Sequence, residues 1–308
     1  MRSRLLVFAG LLVFATVGFG FGCSGGCRGS KAPLQYIPED ALVVVEVPSV
    51  ARAARRALQL VERFKEGPLV SALISGRKAL LAKQLGFAPD KPDEYRKKGI
   101  EPKAGLVFAL ANDGGAMAAM GVADAKALDK YLRELLTKEL PRAGVFKDVE
   151  EGGLKITIVR GADAQSKVRG GWAFHGKHVL MAVGGDDIPK RLAKLSKLER
   201  SVKDNKSFMR QRKRLGSTDV LLYVDGGALK KRLQRRYDER FKQASEFGRE
   251  RLKAEKEISE GVLAYLEGWA LGLELKSKSV SLRSFLGMPE GRAKVLKKLL
   301  AGKGTAPE

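Results

Sequence analysis

The chain has 308 residues, 44% of them hydrophobic, with two cysteines and a net charge of +23 from 58 Lys and Arg against 35 Asp and Glu. That apolar content supports a folded core, while the cysteine count excludes a disulfide-built scaffold and a cysteine-ligated metal in the globular part. The positive excess favours anionic partners such as phospholipid head groups or acidic polymers. An aromatic content of 7%, without basic–aromatic interleaving, argues against a nucleic-acid stacking platform.

Taken in order, the chain begins with an address. Arg2 and Arg4 precede an uncharged stretch, Leu5 to Phe21, that ends in Gly20-Phe21-Gly22-Cys23. Basic residues before an apolar segment are the layout of an export signal. A small residue directly before the first cysteine resembles the lipobox of bacterial lipoproteins, which implies lipidation of Cys23. Gly22 fits that pattern; Gly20 and Phe21 depart from it. Two other outcomes stay open. About 18 apolar residues can just span a bilayer, so the leader could remain as an anchor, or an ordinary signal peptidase could release a soluble secreted protein. Residues 1–22 are thus read as the leader and 23–35 as a small, polar, flexible tether. The leader holds two of the 58 basic residues and none of the acidic ones, so the exported part keeps a net charge of +21.

The globular part opens with Ala41 to Val47, a β-branched run ending at Pro48 that reads as a buried strand. Ser49 then caps a helix carrying Val50, Ala54, Ala57 and Val61, stopped by Gly67-Pro68. A second helical pattern runs from 69 to 85, and 86–103 reads as a loop. Apolar runs at 105–111 and 116–123 flank Asn112-Asp113-Gly114-Gly115, a hairpin signal. Asp124 caps a helix to about Leu140. Strands are expected at 154–160, 171–176 and 178–184, a helix after Asp187, and a strand at 218–225. A long helix is expected from 228 to 257, then a hairpin at 269–275 and 280–286 and a closing helix at 290–301.

Two segments share one order of elements. DALVVVEV, a helix, a hairpin through NDGG and a helix match TDVLLYVD, a helix, a hairpin through SKS and a helix. Gly121 corresponds to Gly287 and Asp40 to Asp219. The pattern predicts an α+β fold of duplicated β-α-β-β-α units with antiparallel, ferredoxin-like sheets packed by helices. The first unit spans 36–200, with an extra hairpin and helix, and the second 201–303.

Three stretches carry a family likeness: PEDALVVVEVPS; VRGGWAFHGKHVLMAVGGDDIPKRLAKL followed by SVKDNKSFMR; and DVLLYVD. Together they resemble a bacterial family known only as a domain of unknown function, often carried on envelope lipoproteins. The resemblance covers roughly residues 36 to 290. It implies the architecture, export and an unassigned role, and brings no catalytic residue with it.

Motifs that carry chemistry fare poorly. Gly22 to Gly26 matches G-x-S-x-G but sits at the leader boundary, not on a strand-to-helix turn. Gly171 to Lys177 matches the start of a P-loop, but His178 stands where Ser or Thr is needed and the stretch reads as a hairpin strand. His175 and His178, the only histidines, lie three apart and are expected on opposite faces of a strand. No metal set forms around them, and no cofactor is indicated. Asp186-Asp187 reads as a helix cap.

One feature stands out. Residues 190–214 hold eleven Lys and Arg against Glu199 and Asp204. Lys190, Arg191, Lys194, Arg210, Arg212, Lys213 and Arg214 are the candidates for contact with an anionic surface; a solvated helix face is the bland alternative. The sequence as a whole reads as a membrane-tethered, exported lipoprotein, a non-catalytic binding or structural module of the cell envelope, periplasmic or at the outer-membrane face. An envelope-polymer-modifying enzyme and a soluble secreted polyanion binder are the competing readings.

Overall fold

The computed structural model describes residues 33–63, 80, 82–88, 91–139, 143–161, 168–185, 187–276, 279–289 and 291. The leader with Cys23 and Cys27, the tether up to residue 32, the Gly67-Pro68 helix stop, nearly all of the helix expected at 69–85 short of its end, Asp186 and, residue 291 apart, the closing helix at 290–301 lie outside them.

Ten strands form one antiparallel sheet: β1 (Val43–Val47), β2 (Leu106–Leu110), β3 (Ala116–Gly121), β4 (Ala143–Glu151), β5 (Leu154–Gly161), β6 (Val168–His175), β7 (His178–Val183), β8 (Val220–Asp225), β9 (Gly268–Leu275) and β10 (Val280–Gly287). Their order is β10-β9-β8-β1-β2-β3-β7-β6-β5-β4. The expected α+β antiparallel class is therefore observed. Pairing of β1 with β8, Val44 opposite Tyr223, makes the strands of both expected units one continuous sheet.

Helices cover both faces because the central strands alternate two apolar sets. On the first face Val44, Val107, Ala119, Leu180 and Tyr223 pack with Ile188, Leu192 and Leu195 of α4 (Ile188–Ser196) and with Phe208 and Leu215 of α5 (Lys206–Leu215). On the second face Val47, Leu106, Met120, Trp172 and Val179 pack with Val50, Ala53 and Ala54 of α1 (Val50–Arg63) and with Leu128, Leu132 and Leu136 of α3 (Ala125–Glu139). The spacing of those three leucines by four is what places them on one side of α3.

Polar ties fix the layers. Arg133 of α3 donates to Asp129 at 2.8 Å, to Asp148 of β4 at 3.0 Å and to Thr157 of β5 at 3.1 Å. Its guanidinium lies over the Phe146 and Trp172 rings, and Trp172 Nε1 donates to Asp129 at 2.9 Å. Asp219, whose side chain is fully buried, accepts from Arg56 of α1 and from the Leu275 backbone N–H, both at 2.9 Å.

Several expectations need correction. The loop at 86–103 contains a short helix, α2 (Pro92–Lys97), opened by a proline at its first position and followed by Gly99 in the left-handed region. Strand β4 has no counterpart among the expected elements. The long helix is two, α6 (Gly226–Gln243) and α7 (Glu246–Leu263), because Ala244 is extended and Ser245 caps a new start through the Gly248 N–H. The Asn112–Gly115 hairpin turn forms as expected, with Gly114 at φ 84°.

Candidate functional site

The basic segment folds as α4, a connecting loop and α5, all on the first sheet face. Asp187 caps α4 by accepting from the Lys190 N–H, and Asn205 caps α5 by accepting from the Phe208 N–H. Ser207, Phe208, Gln211 and Leu215 of α5 face the sheet. That inward set leaves Lys206, Met209, Arg210, Lys213 and Arg214 outward, and all five are exposed.

The seven predicted cations divide into two groups. Arg212 leaves the outward set and forks onto Glu46 of β1 at 2.6 and 2.7 Å, with Glu46 only 1% exposed. The Glu46 hydrogen bond and charge hold the guanidinium pKa above its ordinary value, against the opposing effect of burial. Arg191 is clamped by Asp113 of the β2–β3 turn. There is no space for a Cβ at Gly115 or Gly185, because the Arg191 guanidinium occupies it. Burial pushes the Asp113 carboxyl up, but the Arg191 and Gly115 hydrogen bonds outweigh it and hold the pKa below the usual carboxylate range. Arg210 pairs with Glu267, and Lys190 with Asp187 at 3.0 Å. Lys194, Lys213 and Arg214 have no carboxylate partner among the described residues, and the same is true of Lys206. The site is thus narrower than the segment: the outer face of α5, with Lys194 on the neighbouring helix. Lys206 and Met209 belong to it as much as the residues read from the sequence. The cue was Asn205 followed by cations at spacings of four, three and one.

The start of the described chain lies against the head of this helix. Lys203 Nζ donates to Gln35 at 2.9 Å, Arg200 pairs with Glu39 at 2.8 Å, and Asn205 Nδ2 donates to the Glu39 carbonyl at 3.1 Å. Val202 N–H also bonds the Ile37 carbonyl.

The histidines correct an expectation. Gly176-Lys177 is a two-residue turn, so His175 and His178 face each other as the last pair of the β6–β7 ladder. A hairpin turn reverses the strand and brings them to one side, where Tyr36 meets His175 edge-on and His178 at a tilt, 5.9 and 5.1 Å between centroids. Burial, then the charges of His175 and Lys203, lower the His178 pKa. Among the described residues no group of three or more His, Cys, Asp or Glu is placed to hold a metal. The P-loop-like stretch is strand and hairpin turn, as its sequence indicated.

No family model matches this chain, and no curated protein matches it. Among solved structures, crystal form I of TP0453 aligns over 91% of this chain and 90% of that one, at 12% identity and a TM-score of 0.39. Crystal form IV of TP0453 aligns over 66% and 68%, at 13% identity and a TM-score of 0.34. Likeness at this level defines neither family nor function. No described helix is long and apolar enough to cross a membrane.

Proposed function

We propose that the chain is an exported envelope protein, held at a membrane by lipid on Cys23 or by the retained leader, whose folded part is a non-catalytic binding or structural module. The observation that carries this is the seat of residues 35–39 against the head of the basic helix. With Leu34 already buried in the core, the tether is shortened to residues 23–32 and spans at most about 36 Å when extended. It therefore keeps the outward cations of α5 near whatever surface the N-terminus is fixed to, and an anionic leaflet or polymer is the partner those cations fit.

The duplicated, ferredoxin-like reading belongs with this proposal. β1, β2 and β3 run outward in that order from one side of the β1–β8 joint and β8, β9 and β10 from the other, and in each set a helical segment separates the first strand from the second in sequence. That mirrored order supports duplication.

Metabolic labelling of producing cells with a palmitate analogue tests the tether. Wild type is expected to take up label and Cys23→Ser to take up none. Equal labelling of the two removes the lipid, and release of both into the medium removes the membrane.

A further inference from the structure

The sheet ends in two unlike edges. β4, at one end, carries Lys147, Asp148, Glu150 and Glu151 and a bulge between Ala143 and Phe146. Charges and bulges are how edge strands avoid pairing with other chains. β10, at the other end, has neither device. It runs Val280 to Gly287 in unbroken register with β9, without proline. Its single charge, Arg283, is neutralised across the ladder by Glu274. Val280, Leu282 and Leu286 are 48%, 63% and 51% exposed.

The direction of its backbone groups follows from one bond. Lys276 N–H donates to the Ser279 carbonyl, so the doubly bonded pairs of the ladder are Glu274–Ser281, Gly272–Arg283 and Ala270–Phe285. The alternate residues Val280, Leu282, Ser284 and Leu286 then turn their N–H and C=O groups to the open edge.

We propose that this edge pairs antiparallel with β10 of a second copy of the chain, about a twofold axis at Ser284. In that register Leu282 faces Leu286 of the second copy on the second sheet face, and Ser284 faces Ser284. On the first face Arg283 lies opposite Phe285, a cation against a ring. No like charges meet. Moving the axis to Arg283 sets two guanidinium groups opposite each other, and of the axes from Leu282 to Leu286 only the one at Ser284 sets both exposed leucines against leucines, so the side-chain pattern favours that register. The leucines of both copies join one apolar strip backed by Trp269 and Leu273 of each β9. Eight residues bury too little for a tight dimer, so the association is weak and reversible. The pairing is independent of the proposed tether.

Disulfide trapping in the full chain, with Cys23→Ser and Cys27→Ser, tests it. Paired Ser284 positions lie about 5.5 Å apart between Cα atoms, inside the range a disulfide spans. Leu282 positions lie about 14 Å apart. Mild oxidation of the purified, concentrated protein is expected to give at least about tenfold more covalent dimer from Ser284→Cys than from Leu282→Cys. Adding Leu282→Pro to the Ser284→Cys chain removes an outward N–H and no bond to β9, so the dimer is lost while the melting temperature holds. Equal trapping at 282 and 284, or a covalent dimer of the Ser284→Cys chain that survives the proline, overturns the proposal. So does absence of trapping, the result expected if residues 292–301 of the same chain cover this edge.

Discussion

Truncating Arg212 separates a structural cation from a binding one. Glu46 is 1% exposed and receives two short hydrogen bonds from this guanidinium, whose own side chain is 34% exposed. Arg212→Ala leaves a carboxylate in the core of the first face with both bonds gone. Removing one partner of a buried pair costs about 3–5 kcal/mol. The open side of Arg212 lets water reach part of the vacated space, so the low end, about 3 kcal/mol, applies here. For a folded part of this size that is a fall in melting temperature of roughly 6–12 °C. The paired change Glu46→Leu with Arg212→Leu removes both charges and keeps apolar volume, and should return to within about 1 kcal/mol of the parent. Lys213→Ala, one residue along on the exposed side, should shift stability by less than about 0.5 kcal/mol. Thermal and urea melts of the four chains decide it. An Arg212→Ala chain that melts within about 2 °C of the parent refutes the claim that this cation belongs to the fold.

Other outcomes follow from the same geometry. The His178 pKa lies below its ordinary value of about 6.5, so the unfolded chain takes up a proton that the native state resists. Stability should be fully present above about pH 6.5 and fall as pH drops towards the lowered value; His178→Gln should flatten that part of a melting-temperature profile, and an unchanged slope contradicts it. A Cβ at Gly121 overlaps the Ala104 methyl group, whereas at Gly287 it meets mainly the amide end of the longer Gln211 side chain, which has rotatable bonds through which to give way. Gly121→Ala should therefore cost about 1–3 kcal/mol, and clearly more than Gly287→Ala, as read by urea midpoints; the reverse order counts against the packing described.

How far the sequence could be read varied with the range of the forces involved. The β2–β3 hairpin was legible because Asn112 to Gly115 supplies its own turn geometry, and α3 because its leucines repeat at helical spacing. β4 was not, since AGVFKDVEE lies at a sheet edge where charges replace alternation. α5 reads as a charge run because only four of its ten residues are buried, two of them Ser207 and Gln211. The histidines were misplaced by counting along one strand, when the two-residue turn made them partners across two. Within the candidate site, the cations were visible but their carboxylates were not. Glu46 is 166 residues from Arg212, and Asp113 is 78 from Arg191. Asp40 and Asp219 corresponded in position yet differ in environment: Asp40 is exposed, and Asp219 is buried beneath Arg56.

The division of the basic segment also fixes how strong its binding can be. Four cations of the segment, Lys194, Lys206, Lys213 and Arg214, have neither a carboxylate nor a hydrogen-bond partner among the described residues, whereas Lys197 and Lys203 are held by the Gly152 carbonyl and the Gln35 amide oxygen. Each is worth about 1 kcal/mol at an anionic membrane surface. Together they give about 4 kcal/mol, a dissociation constant on the order of 1 mM. Such a surface does not recruit the protein by itself. On the proposed reading, a short tether supplies an effective concentration in the same millimolar range, so α5 is expected to dock only when the N-terminus is already fixed. A chain beginning at residue 28 should therefore sediment poorly with vesicles rich in phosphatidylglycerol at physiological salt. The same chain coupled to a lipid head group through an added N-terminal cysteine should hold α5 at the bilayer, and raising the salt should release the helix, as seen by a fluorophore on Met209→Cys. Lys206→Glu with Lys213→Glu and Arg214→Glu should release it at any salt. Micromolar vesicle binding by the untethered chain at physiological salt is the result that sinks this division of labour, because four exposed cations cannot supply it.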